Sequence, residues 1–294
     1  MKMYFRHIYW MLRTWPLRWS FPNFKIMTID DTIDDIVKNR KSVSRFGDGE
    51  FVLLLKEGDI GFQKPDLLLS SKILEVLCNR NPKFLIAIPD SLSSTKVLNR
   101  SSKVFWLTFI NTHGKALSKI LDKKYRYGNA NITRLYATRK KRSKSKKYFD
   151  KIKTIWRNED ILIIEGNLSR LGVGNDLFDN AKSIQRILCP HNNAFDRYDV
   201  IKQAATNYGK EKLILVALGP TATVLCSQLC NEGLWAVDIG HIDAEYMWML
   251  MGVKQRIAIK GRHVNESNNS EGYELDLDLA KPYNESIILD LSNK

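Results

Sequence analysis

Short apolar, β-rich runs separated by amphipathic stretches govern what this chain can fold into. The runs lie at residues 84–88, 132–136, 161–165, 213–218 and 235–239. Between them, 30–40, 66–79, 146–157, 195–208, 221–232 and 243–251 read as helices, several opening on Asp, Ser or Thr in a capping position. Strands that alternate with helices in this way are covered on both faces, which predicts an α/β protein with a mainly parallel sheet.

The order is Rossmann-like, and ligands of such sheets bind beyond the carboxyl ends of the strands. Loops 166–176 and 219–223 are placed there. A chain of 294 residues, 44% hydrophobic, fits one large α/β domain with a sizeable core. Residues 28–265 are read as that domain, 1–27 as a basic aromatic segment, and 266–294 as a polar tail packing on it with a short final strand at 286–291. No internal repeat is visible.

The formal charge of +14 suggests an anionic partner, but its location narrows the choice. Residues 1–25 hold five basic residues and no acid, and 134–157 hold eleven against Asp150 alone. The remainder is close to neutral, so attachment at two strips is favoured over nucleic acid wrapping the whole face. Cys78, Cys189, Cys226 and Cys230 form no CxxC pair, and no signal peptide precedes them. They read as reduced cytosolic thiols, with Cys226 and Cys230 serving as core.

Residues 3–21 interleave Tyr4, Phe5, Tyr9, Trp10, Trp15, Trp19 and Phe21 with Arg6, Arg13 and Arg18. The stretch is too charged to span a bilayer, which takes about 20 predominantly apolar residues, and Pro16 interrupts it. Two readings stay open: a strip lying flat on an anionic membrane surface, or an arm packed on the domain or on a second subunit.

Four segments carry polar groups at predicted strand ends. In Ser44–Glu50, Asp48 and Glu50 flank one glycine on a turn and can converge on a hard cation such as Mg²⁺ or Mn²⁺, with a diphosphate and water completing the shell. Gly47 and Gly49 permit close backbone approach, and Arg45 could neutralise phosphate. A surface turn with capping acids is the alternative. After residues 235–239 come Asp238, Gly240, His241, Asp243 and Glu245; His241 could be a metal ligand or phosphate donor, or a satisfied polar residue, and Asp243 could simply cap a helix. The glycine-rich 165–176 loop lacks the Walker A and dinucleotide patterns yet could hold phosphate through Arg170, with Arg186 as a second contact, and a sugar or base through Asn175 and Asp176. Gly219, Pro220 and Thr221 open a helix whose free N–H groups could receive an anion.

Taken jointly, SRFGDGE at 44–50 with FQK at 62–64, EGNLSRLGVGNDLFDNAKSIQRILCP at 165–190, NAF at 193–195, ALGPTATVL at 217–225 and DIGHIDAEYMW at 238–248 resemble the GT-D-type glycosyltransferases, bacterial enzymes that move a sugar from a nucleotide donor. The resemblance covers roughly residues 28–265. It implies a single GT-D-type domain in which Asp48 and Glu50 bind Mn²⁺ or Mg²⁺ against the donor diphosphate, with His241 on the metal or catalytic wall. It assigns donor binding to the segments holding Arg45, Phe46, Gly47, Asn167, Arg170, Gly174, Asn175, Asp176, Arg186, Gly219, Pro220 and Thr221. If the reaction inverts, Asp243 or Glu245 is the expected general base. The implied activity is hexose transfer from UDP-glucose or UDP-galactose to a glycan on a lipid or a glycoprotein, in the cytoplasm or at the inner membrane face. The rival readings are a nucleic-acid-binding protein and a non-catalytic membrane-associated module; neither has use for polar loops at successive strand ends.

Overall fold

The computed structural model describes residues 2–14, 21–264 and 274–292. Among them nine strands form one all-parallel sheet: β1 (Lys25–Ile26), β2 (Ser42–Arg45), β3 (Phe84–Ile88), β4 (Arg126–Asn129), β5 (Asp160–Gly166), β6 (Ser183–Cys189), β7 (Leu213–Ala217), β8 (Trp235–Asp238) and β9 (Ile287–Asp290), in the order β1-β4-β3-β2-β8-β7-β5-β6-β9. The described helices are α1 (Lys2–Arg13), α2 (Ile29–Asn39), α3 (Asp48–Leu55), α4 (Leu67–Cys78), α5 (Arg100–Ile120), α6 (Ser145–Ile152), α7 (Tyr198–Tyr208), α8 (Pro220–Asn231), α9 (Ile242–Leu250) and α10 (Leu277–Glu285).

Strand sequences show why both faces are covered. Successive residues of a strand point to opposite sides, and in β5 and β7 both sides are apolar. Ile161, Ile163, Leu213 and Leu215 enter one core cluster while Leu162, Ile164, Ile214 and Val216 enter the other. Each fully buried side chain of this size contributes roughly 1.5–3 kcal/mol. Helix α2 illustrates the covering layer: Ile29, Thr32, Ile33 and Ile36 are buried on one stripe, and Thr28 caps the helix by accepting the Asp31 N–H.

Local sequence misleads in several places. Residues 132–136 are not a strand. Ala130–Thr133 is a 3₁₀ turn, and the Tyr136 and Ala137 N–H groups bond to the Glu245 carboxylate instead of a neighbouring strand. The strand lies earlier, at β4, where Gly128 allows close packing on Leu85. Helix α5 escapes a propensity reading because β-branched and aromatic residues and Gly114 fill its interior. Strand β6 is disguised by Gln185 and Arg186. The expected final strand is present as β9, which forms a sheet edge beside β6 and is preceded by helix α10.

The sheet has a switch point. From β2 the chain winds outward through β3 to β4, whereas β8, the other neighbour of β2, belongs to the opposite half. Strands β2 and β8 share one register pair, Val43 with Val237, and a crevice opens beyond their carboxyl ends.

Candidate functional site: a cleft at the strand ends

A cleft of about 940 Å³ occupies that crevice. Residues 46–50 reach it after β2, and Pro89, Asn131, Gly166, His191, Gly219 and Gly240 reach it from six other strand ends. The segment 44–50 and the segments after β5, β7 and β8 therefore meet at one place, although as many as 193 residues separate them. The FQK and NAF motifs also meet: the Asn193 N–H donates to Phe62 O (2.8 Å), and Asn193 Oδ1 accepts from the Lys64 N–H (2.8 Å). Phe62 in turn packs against Gly219, where a Cβ would lie 2.5 Å from its ring.

Asp48 and Glu50 sit in the first turn of α3 rather than on an isolated turn. Glu50 Oε2 accepts the Gly47 N–H (2.7 Å), an acidic capping arrangement at a helix N-terminus. Burial and, next, the Asp238 charge push the Glu50 carboxyl up to about 7, with a smaller contribution from Asp48. A divalent cation would relieve this crowding of negative charge, and two carboxylates on a cleft wall suit Mg²⁺ or Mn²⁺ with phosphate oxygens and water as the other ligands. Among the described residues no three His, Cys, Asp or Glu side chains form a metal-holding group. His241 lines the same cleft but does not complete a preformed cage with Asp48 and Glu50.

Arg45 is committed to the protein rather than left for phosphate. Its guanidinium donates to Asp238 Oδ1 (2.9 Å), Asp238 O (2.9 Å) and Thr133 Oγ1 (2.6 Å), tying β2, β8 and the segment after β4 together. The Gly240 N–H also donates to Asp238 (3.1 Å). Gly240 has φ 42°, and a Cβ there would lie 1.8 Å from Arg45 Nη2, so position 240 accepts glycine alone. Phe46 is fully buried and packs at a tilt against Phe51; its side chain is core.

The 165–176 loop departs furthest from expectation. Gly166, Ser169 and Leu171 line the cleft, whereas the polar groups expected to hold a donor bond to other parts of the protein. Asn167 Oδ1 contacts His191 Nδ1 (3.1 Å), Arg170 donates to Gly261 O, and Asn175 Nδ2 donates to Asp243 (2.8 Å). Gly174, at φ 73°, shapes the turn beside Leu279. Asp176 accepts from Lys153 Nζ (2.7 Å) and Tyr246 Oη (2.6 Å), which hold its carboxyl below the ordinary value. Arg186 pairs with buried Glu165 (2.6 Å) under Tyr283. This loop is a brace.

The two expected bases are likewise occupied. Glu245 is buried outside the cleft lining, and its Oε2 accepts the Tyr136 (2.6 Å) and Ala137 (2.8 Å) N–H groups, fixing the segment that follows β4. Asp243 touches the cleft but accepts from the Gly172 N–H (2.9 Å), Asn175 Nδ2 and Arg262 Nη1, with 1% of its surface exposed. These donors commit the Asp243 carboxylate to holding the 165–176 loop and Arg262 together. Gly219 lines the cleft, whereas Pro220 and Thr221 are buried in the start of α8.

Sequence reasoning overlooked the basic wall. After α9 the chain returns as a strap, residues 254–264, that brings Lys254, Gln255, Arg256 and His263 to the cleft that Asp48 and Glu50 also line; Arg134 joins them from the β4 side. The strap is anchored by the brace: Arg262 donates to Asp243 and Val173 O, and the His263 N–H donates to Leu168 O (2.8 Å). His191 and His263 face one another with ring centroids 5.7 Å apart, and burial, then the neighbouring His263, lowers the His191 pKa. Four Lys or Arg and one His within residues 254–263 were the available signal. Part of the other basic stretch is neutralised internally: Lys151 pairs with Asp30 and Asp34, Lys153 with Asp176, and Lys146 with Asp150.

Comparison with known proteins agrees with this architecture. The family model of the glycosyltransferase GT-D fold matches residues 43–267. A probable glycosyl transferase, Gly, of Streptococcus gordonii is 37% identical over 270 residues, and the glycosyltransferase GlyD of Streptococcus pneumoniae serotype 4 is 36% identical over 270; each alignment takes in 92% of this chain but only 39% and 33% of those longer proteins. A solved DUF1792 glycosyltransferase from Streptococcus sanguinis superposes with a TM-score of 0.85 at 34% identity, covering 91% of this chain and 99% of that one. A second solved DUF1792 domain, described as having a distinct glycosyltransferase fold, gives 0.85 at 35%, covering 92% and 96%. By sequence and by fold, the chain belongs to the GT-D-fold glycosyltransferases.

Proposed function

We propose that the chain transfers a hexose from a UDP-sugar, UDP-glucose or UDP-galactose, to a hydroxyl of a glycan carried by a lipid or a protein. The observation that supports this reading best is that one cleft at the switch point of a parallel sheet is lined both by Asp48 and Glu50 and by Arg134, Lys254 and Arg256. A diphosphate in that cleft would find a carboxylate pair suited to a cation and side chains suited to phosphate oxygens.

Departure of the nucleoside diphosphate from the anomeric carbon leaves negative charge on its phosphate oxygens. A bound Mn²⁺ or Mg²⁺ supplies Lewis-acid stabilisation of that charge. Asp48 and Glu50 would hold the cation. Arg134, Lys254 and Arg256 add positive charge along the cleft, where it can offset the charge on the leaving phosphate. Phe62, held over Gly219 and bonded through its carbonyl to the Asn193 N–H, lines the same cleft.

The test is thermal unfolding with UDP, Mn²⁺ and both together, followed by slow hydrolysis of a nucleotide-sugar panel in Mn²⁺. Saturation at a hundred times the dissociation constant stabilises the native state by about 2.7 kcal/mol. The combination should raise Tm where UDP alone raises it little, and one UDP-hexose should be cleaved. No shift with the combination and no cleavage of any donor would refute the proposal.

A further inference from the structure

One surface has no part in the cleft chemistry. Helix α1 packs on α5, the helix whose first turns wall the cleft through Ser102, Phe105 and Trp106. His7, Trp10, Met11 and Thr14 lie on the more buried side of α1, a helical spacing of three and four. The opposite side repeats that spacing with Phe5, Ile8, Tyr9 and Leu12, which are 65%, 37%, 50% and 67% exposed. A globular helix ordinarily turns apolar residues inward on one stripe only.

The chemistry beside this second stripe indicates what covers it. Residues 1–25 contain Lys2, Arg6, Arg13, Arg18 and Lys25 and no acid; Arg18 lies outside the described residues, as do Trp15 and Trp19 of the same stretch. Arg13 donates to the Tyr9 hydroxyl (2.7 Å) and lies 5.9 Å from its ring centroid, joining the charge to the aromatic row. Apolar and aromatic side chains flanked by guanidinium groups match the acyl boundary and the phosphates of a bilayer surface. Among the described residues no helix is long and apolar enough to cross a membrane, so contact through α1 would be parallel to the surface.

We propose that the Phe5–Ile8–Tyr9–Leu12 face of α1 docks on an anionic lipid bilayer, holding the α5 wall of the cleft near the headgroups. This inference does not depend on the donor or on the transfer reaction. Each basic residue near an anionic surface strengthens binding by roughly fivefold, so the attachment is electrostatic as well as apolar.

The experiment is co-sedimentation of the full chain with vesicles of phosphatidylcholine alone or with 30% phosphatidylglycerol, where that fraction is simply about what gives a strongly anionic surface. Binding to the anionic vesicles should exceed binding to neutral ones at least about tenfold and fall in high salt, given screening over about 10 Å at 0.1 M. Phe5→Ser with Leu12→Ser should weaken it about tenfold, and so should Arg6→Gln with Arg13→Gln, with melting temperature unchanged because those side chains are exposed. Absence of sedimentation with anionic vesicles, or equal sedimentation of the Phe5/Leu12 variant, would overturn the proposal. So would light scattering that shows a dimer dissolved by the Phe5/Leu12 substitutions, since a second copy would then be the occupant.

Discussion

The 44–50 and 165–176 segments look alike in sequence: each follows a strand, each contains glycines, and each offers an arginine and acids. Their roles in the fold are opposite. The first delivers Asp48 and Glu50 to the cleft and uses its arginine as a tie to Asp238. The second keeps Arg170, Asn175 and Asp176 in contact with distant protein groups and supports the strap that carries Lys254 and Arg256. A glycine-rich loop at a strand end is thus a place where chemistry can occur, and the bonding partners of its side chains decide whether it does.

The sharpest way to break this contrast is at the carboxylates. Asp48→Asn and Glu50→Gln should each lower kcat/KM by two orders of magnitude or more, about 3 kcal/mol or above in transition-state stabilisation, with Tm within a degree or two of the parent. Unimpaired transfer by both would remove these residues from the site.

Next in size is Asp243→Ala, which strands the Arg262 guanidinium in a buried position. Breaking one partner of such a pair costs about 3–5 kcal/mol, and the urea midpoint should fall accordingly. Assayed where it remains folded, the variant should lose less activity than Asp48→Asn. A thousandfold loss of kcat with an unchanged urea midpoint would instead make Asp243 catalytic and abolish the brace.

The smallest effect is expected at Asp176. Its carboxyl is 58% exposed, so loss of its pair with Lys153 in Asp176→Asn should cost about 0.2–1 kcal/mol. Because its folded pKa lies below the ordinary value, the pair contributes stability above that value and loses it as pH falls through the folded pKa. The stability difference between parent and variant, measured by urea unfolding, should therefore shrink below about pH 4. A difference that grows on acidification would contradict the assignment.

Much of the cleft was legible because it follows from local pattern. Apolar runs such as 161–165 and 213–218 mark strands, parallel strands place their loops on one edge, and the acids at 48 and 50 follow one of those strands. The run at 132–136 failed because it begins in a 3₁₀ turn and ends with the Tyr136 N–H on Glu245, about a hundred residues away. The strap at 254–264 was missed because nothing local distinguishes a basic stretch facing a cleft from one facing solvent; its anchors, Asp243 and the 165–176 loop, are recognisable only after folding.

The amino-acid sequence by itself determined the layers, the parallel sheet and the edge on which chemistry would collect, since side-chain periodicity and strand direction are properties of short segments. Tertiary structure decided which polar groups remain available there. Arg45, Arg170, Asp243 and Glu245 were all plausible site residues by type, but hydrogen bonding in a low-dielectric interior is a matter of which partner arrives within about 3 Å. For these four, the partner came from elsewhere in the chain.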